Sequence, residues 1–188
     1  MLSCIDRRTP HTRPDCSVLV VLLLLGAIIN GYSHAAQAME NYHLDGRFWA
    51  PFPGTPALAG EIEQQGGRTK SYEFIDEEAM IVFNATYTVL PGRFAPDQVQ
   101  SALHYYVQGQ ARVQKGVAKV TKSIELAGSP GVEFVLTYSI QGIEFKKYAI
   151  VVYAGACFYS WAVQDIPGHS TISAYDLFRA HVARFRVD

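Results

Sequence analysis

The stretch Tyr148-Ala149-Ile150-Val151-Val152-Tyr153-Ala154-Gly155-Ala156-Cys157-Phe158-Tyr159-Ser160-Trp161-Ala162-Val163 decides the fold. It is almost continuously apolar or aromatic, and Ala154-Gly155 interrupts it with the short connection of a tight hairpin. Two strands follow, Ile143 to Tyr153 and Ala156 to Gln164. Strands without polar alternation are covered on both faces, so a layer is expected on each side of the sheet.

Upstream, Val132, Phe134, Leu136, Tyr138 and Ile140 recur with period two, between an expected turn at Gly128-Ser129-Pro130-Gly131 and another at Gln141-Gly142. Before that turn, Ala118, Val120, Ile124 and Leu126 read as one face of a further strand. Ala95-Pro96-Asp97 opens a helix, with Pro near the first position and an acid in the first turn. Val99, Ala102, Leu103, Tyr106, Val107 and Val113 stripe one side of it up to Gly116; its other side is rich in glutamine. Arg68 to Ile75 and Ala79 to Leu90 form a hairpin around Asp76-Glu77-Glu78, with Ala79, Ile81, Phe83, Ala85, Tyr87 and Val89 facing the core. A first edge strand is expected within Phe48-Trp49-Ala50-Pro51-Phe52-Pro53-Gly54-Thr55-Pro56, which starts extended and is then broken by its prolines and Gly54. Downstream, Ser173-x-x-Asp176 caps a helix striped by Ala174, Leu177, Phe178, Val182 and Phe185 that runs nearly to the C-terminus. The order is about three strands, helix, four strands, helix. It predicts an α+β fold, a mostly antiparallel sheet of about six or seven strands with helices packed on it.

Of the 188 residues, 49% are hydrophobic and 18% charged, a balance suited to a buried core. Residues 1–38 read as a signal peptide. Arg7, Arg8 and Arg13 form a basic n-region, the twelve residues Val18 to Ile29 an uncharged h-region, and Ala36-Gln37-Ala38 a cleavage site before Met39. The alternative is an inner-membrane anchor through Val18 to Ile29, although crossing a bilayer takes about 20 apolar residues. Cys4 and Cys16 leave with the leader, so residues 39–188 form a single domain with Cys157 alone and no internal disulfide. That domain carries 13 basic and 15 acidic residues, a net charge of −2. Such a balance has no footprint for nucleic acid or an acidic membrane surface. A periplasmic or secreted protein is expected.

Chemistry-bearing motifs are scarce. The chain has no Gly-x-Ser-x-Gly elbow, no Walker or Rossmann glycine pattern, and no metal-ligand spacing among His43, His104, His169 and His181. No catalytic, cofactor-binding or metal residue is assigned. Glu61 and Glu63, and Glu77 and Glu78, sit in polar surroundings that leave carboxylates solvated. Cys157 lies within a strand and reads as a small buried residue. Aromatic side chains are abundant, at 12% of the chain. Most fall on core faces. Trp49 and Tyr105 are the candidates for an exposed partner-binding surface.

Phe52-Pro53-Gly54-Thr55-Pro56, Gly128-Ser129-Pro130-Gly131-Val132-Glu133-Phe134, the hairpin Tyr153-Ala154-Gly155-Ala156 and the closing Ala183-Arg184-Phe185 follow one another across the mature chain. In that order they resemble the PsbP-like and Mog-type α/β/α sandwich superfamily, in particular small exported bacterial members of unknown function. The resemblance implies an accessory or binding subunit that docks onto a larger protein, without enzymatic activity; it transfers no functional residue. The leading expectation is therefore a non-enzymatic binding or accessory module acting on an envelope protein. One alternative is a carrier of a small apolar ligand, in a cavity lined by residues such as Phe134, Tyr148 or Trp161. Another is a hydrolase-type enzyme with a dispersed site around His104 or His169.

Overall fold

The computed structural model describes residues 39–64 and 66–188, so the leader reading of residues 1–38 lies outside the described residues. Five strands come first: β1 (Glu40–Leu44), β2 (Phe48–Phe52), β3 (Ala57–Gln64), β4 (Gly67–Asp76) and β5 (Ile81–Val89). A 3-10 turn at Pro96–Gln98 leads into helix α1 (Val99–Val113). Then come β6 (Val117–Leu126), β7 (Ser129–Ile140), β8 (Ile143–Ala154), β9 (Cys157–Asp165) and helix α2 (Ala174–His181). A second 3-10 turn, Val182–Arg184, precedes the short β10 (Arg186–Val187).

Seven strands form one antiparallel sheet in the order β3-β4-β5-β9-β8-β7-β6, and β1-β2-β10 form a smaller one. The α+β reading holds, with β8 and β9 inside the large sheet as their apolar runs require. Successive residues of β8 feed two cores. Ile150 and Val152 pack with Phe48, Phe52, Trp161, Phe178 and Phe185, under the small sheet and α2. Ala149 and Val151 pack with Leu103, Val107, Phe134 and Ala162, under α1. Cys157 is a buried free thiol.

Five details correct the sequence reading. First, β1 and β3 were not expected: both are short on apolar residues, and β3 is an edge strand whose Glu61 and Glu63 read as turn-like polarity. Second, the turn before β7 is Ala127-Gly128, both with positive φ (49° and 80°), the geometry that suits a two-residue hairpin. Ser129-Pro130-Gly131 already belongs to the strand. Third, β6 carries a bulge between Val120 and Lys122. The extra residue flips the strand, so Ala118 and Val120 pack toward α1 while Ile124 and Leu126 pack toward the other core. Fourth, Val113 is 79% exposed and Ala111 takes its place on the buried stripe of α1. Fifth, the last helix ends at His181, and Phe185 reaches the core from the approach to β10 rather than from a helix.

Candidate functional site

Helix α1 packs over β6, β7 and β8, on one half of a sheet face. The registers Glu73↔Asn84, Asn84↔Ala162 and Ala162↔Ala149 place Glu73 and Asn84 on that same face, because opposed residues share a side. Over β4, β5 and β9 it is polar. Thr69 and Thr88 hydroxyls lie 3.1 Å apart, as do those of Ser71 and Thr86. Thr86 Oγ1 donates to Asn84 Oδ1 (3.1 Å), and Asn84 Nδ2 donates to the Tyr72 carbonyl (3.3 Å). These side chains are half-buried and tie one another in place.

Along the flank of α1 the surface is aromatic. Ala95 is extended and Pro96 opens the 3-10 turn; Gln98 Oε1 accepts from the Ala95 N–H (3.3 Å), which fixes the rim. The Phe94 N–H donates to Tyr153 Oη (2.9 Å), and its ring packs on Tyr153 and Phe158. Tyr106 packs on Phe158 with centroids 4.9 Å apart and places its hydroxyl 3.3 Å from Ser160 Oγ; burial pushes its phenol pKa up. Above this floor, Tyr105 is 74% exposed. It stands between two open clefts. One, of about 470 Å³, is lined by Gln100, Ser101, His104 and Gln108. The other, of about 610 Å³, is lined by Phe94, Asp97, Gln98, Tyr106 and Phe158; both include Ser101 and Tyr105.

Trp49 differs from its expected exposure. Its ring stacks on His43 at 4.5 Å, Nε1 donates to Asp188 Oδ1 (3.1 Å), and the Arg186 guanidinium lies 5.6 Å from the ring centroid. Asp188 Oδ2 lies 2.5 Å from His43 Nε2, so the indole is a joint between β1, β2 and the residues after α2. The residues named for an apolar cavity do not meet either. Phe134 belongs to the core under α1, whereas Trp161 is in the other core, donating Nε1–H to the Pro51 carbonyl (2.9 Å), and Tyr148 packs on Tyr175 of α2. His104 lines a cleft on α1, while His169 is exposed in the loop before α2, the helix that packs on the other core. Among the described residues, no group of three or more His, Cys, Asp or Glu is placed to hold a metal ion. No helix among them is long and apolar enough to cross a membrane.

The polar half-face holds a pair that the motif search missed. Glu73 on β4 and Lys147 on β8 point to this face, and burial raises the Glu73 carboxyl pKa and lowers that of the Lys147 amine. The field of each works against the other's shift. The available signal was parity: Lys147 shares the side of buried Ala149 and Val151, two and four residues along the strand.

No family model matches the chain, and no curated protein matches it. The resemblance to the PsbP-like and Mog-type sandwich therefore rests on the short motifs alone. Similar solved structures include PA94 of Pseudomonas aeruginosa, a protein of unknown function, at 11% identity and a TM-score of 0.40, covering 70% of this chain and 85% of that one. They also include LpqN of Mycobacterium tuberculosis, involved in cell envelope biogenesis, at 12% identity and a TM-score of 0.42, covering 72% and 86%.

Proposed function

We propose that the protein is an exported, non-enzymatic binding or accessory module of the cell envelope, holding its partner against the outer side of α1. The observation that carries this reading is Tyr105, a largely exposed ring between two clefts on a rigid aromatic floor. Tyrosine supplies a large contact area with few rotors to freeze, which is why it recurs at binding hot spots. The neighbouring Gln98, Gln100, Ser101 and Gln108 bring amides and a hydroxyl, groups that orient a partner by hydrogen bonds. The basic, apolar and small-residue order of residues 1–38 supports export, with cleavage after Ala38 and a periplasmic or secreted destination.

A photo-crosslinking side chain placed at position 105 in the native host tests the reading. An equivalent probe at Tyr175, which is exposed on α2 across the sheet, is the control. One discrete adduct from position 105 and none from 175 is expected, with binding to the captured partner falling at least about tenfold in Tyr105→Ala while the circular dichroism stays unchanged. Equal adducts from both positions, or none from either, would count against it.

A further inference from the structure

We infer that the larger of the two clefts beside α1, together with the hydroxyl-bearing sheet surface it opens onto, is a binding site for a neutral oligosaccharide. This goes beyond the docking role of Tyr105. The cleft, of about 610 Å³, has the exposed Phe94 and Asp97 on its rim, Ser101 and Tyr106 on the helix and Phe158 on the sheet. The strand register carries it onward. Phe158 stands opposite Thr88, and Thr88 opposite Thr69. Ser160, whose hydroxyl lies 3.3 Å from that of Tyr106, stands opposite Thr86, and Thr86 opposite Ser71. Opposed residues share a face, so two rows run out from the helix flank across β5 to β4, over two inter-strand spacings or roughly 10 Å. Their outer members are small and half-buried, while α1 packs over β6, β7 and β8 on the other half of the face.

The protons along these rows have a fixed direction, because each hydroxyl carries only one. That of Thr86 goes to Asn84 Oδ1 (3.1 Å), so in the contact between Ser71 and Thr86 (3.1 Å) Ser71 is the donor. Asn84 Nδ2 in turn donates to the Tyr72 carbonyl (3.3 Å). Ser71 and Thr86 have therefore spent their protons within the sheet and keep lone pairs for a ligand. The Thr69 and Thr88 hydroxyls, 3.1 Å apart, use one of their two protons on each other and keep one. Asp97 on the rim and Glu73, opposite Asn84, add carboxylate acceptors. Gln98 Oε1 is held by the Ala95 N–H, which leaves its amide N–H groups to donate into the cleft. A surface rich in acceptors, with few donors, complements a molecule dense in hydroxyl protons. Sugars have that chemistry, and their C–H faces pack on aromatic rings; Phe94, 37% exposed in the lining of the cleft, supplies one. The reach of the rows calls for more than one sugar ring.

NMR titration of the purified protein with two neutral probes, triacetylchitotriose and maltotriose, tests the inference. Tetraethylene glycol dimethyl ether, a chain with acceptors and no donors, is the control. Saturable shifts with at least one saccharide are expected in the amides of β4, β5 and residues 94–101, and none with the polyether. Thr86→Val removes a hydroxyl at nearly constant volume, and Asp97→Ala removes an exposed acceptor. Each should weaken saccharide binding about fivefold or more, the worth of one hydrogen bond, with the circular dichroism unchanged. Because Asp97 is on the surface, its truncation reads the site even if Thr86→Val disturbs the sheet. No saturable shift with either saccharide, equal binding of the polyether, shifts confined to α2 and the small sheet, or an affinity indifferent to both substitutions would each overturn the assignment. The titration contains no protein partner, and the adduct expected from position 105 needs no sugar, so failure of this site and failure of the docking surface are distinguishable.

Discussion

Gly131 looks like part of a turn when met in Gly128-Ser129-Pro130-Gly131, yet it sits inside β7, opposite Val152 and Ile124. Its φ is not in the left-handed region, so conformational freedom is not its reason. Space is. A Cβ there would come within 2.6 Å of the Val151 carbonyl oxygen, a backbone atom that cannot move without disturbing the central pairing. Gly131→Ala should therefore destabilise the protein by about 2 kcal/mol or more, while Gly60→Ala on the edge strand, with nothing within 4 Å, should stay within about 0.5 kcal/mol of wild type in urea melts. Equal midpoints for the two variants would refute the close-approach account. The same scale shows why one candidate side chain was legible and the other was not. Tyr105 falls off the Val99, Leu103, Tyr106 and Val107 stripe, and helical period alone turns it outward. Trp49 reads as exposed in an edge strand, and only the fold brings Asp188 and Arg186 onto it from 139 and 137 positions away.

Between strands, the hairpin β1–β2 is latched to the large sheet by one carboxylate. Asp45, in the left-handed region at φ 49°, accepts from Lys70 Nζ (2.8 Å) on β4 and from Tyr87 Oη (2.7 Å) on β5, and Tyr72 also donates to it. Lys70 and then Tyr72 hold the Asp45 carboxyl well below the usual carboxylate range, and burial with the Asp45 contact pushes the Tyr87 phenol up to about 12. The sign follows. The unfolded chain takes up a proton at ordinary carboxylate pH and the folded chain does not, so the latch stabilises fully above about pH 4 and is lost as pH falls further. Asp45→Asn, which tolerates the same backbone, should cost about 1 kcal/mol at pH 7, solvent at the exposed carboxylate screening its contacts, and the gap to wild type should narrow at pH 3. Urea unfolding at the two pH values checks this; a gap that widens in acid would exclude the latch. Elements were unevenly legible for related reasons. Central strands declare themselves by their own apolar runs, whereas β1, β3 and β10 exist because a partner edge pairs with them. The bulge in β6 leaves no mark either, since Ala118, Val120, Ile124 and Leu126 keep a perfect alternation while the backbone turns over between them. Likewise Glu73 and Lys147 lie 74 positions apart and come to one sheet face only through the strand order β4-β5-β9-β8.

Across the whole molecule, two cores share one sheet, and β8 and β9 send alternate side chains into each. The core away from α1 also binds both ends of the described chain: Asn41 Nδ2 donates to the Arg184 carbonyl (3.0 Å), and Arg184 donates to the Met39 carbonyl (2.6 Å). Damage on either side should then be felt by the strands between, so unfolding should be one transition. Both tryptophans lie on the side away from α1, Trp161 fully buried against Phe178 and Trp49 in the small sheet. Their fluorescence reports that side alone, whereas far-ultraviolet circular dichroism reports every strand and helix. Leu103 is fully buried under α1 and belongs to the other core. Its truncation to alanine should cost about 3 kcal/mol, from lost transfer energy and the cavity left behind. Under a shared sheet, Leu103→Ala lowers the fluorescence midpoint as much as the dichroism midpoint, although neither indole touches the mutated helix. If α1 and its core melted on their own, dichroism would show an early partial loss while the tryptophan transition stayed at its wild-type midpoint. Equilibrium urea unfolding followed by both signals on one sample separates these outcomes. Coincidence would mean that α1, with Tyr105 on its outer side, is held in place by the stability of the entire sheet.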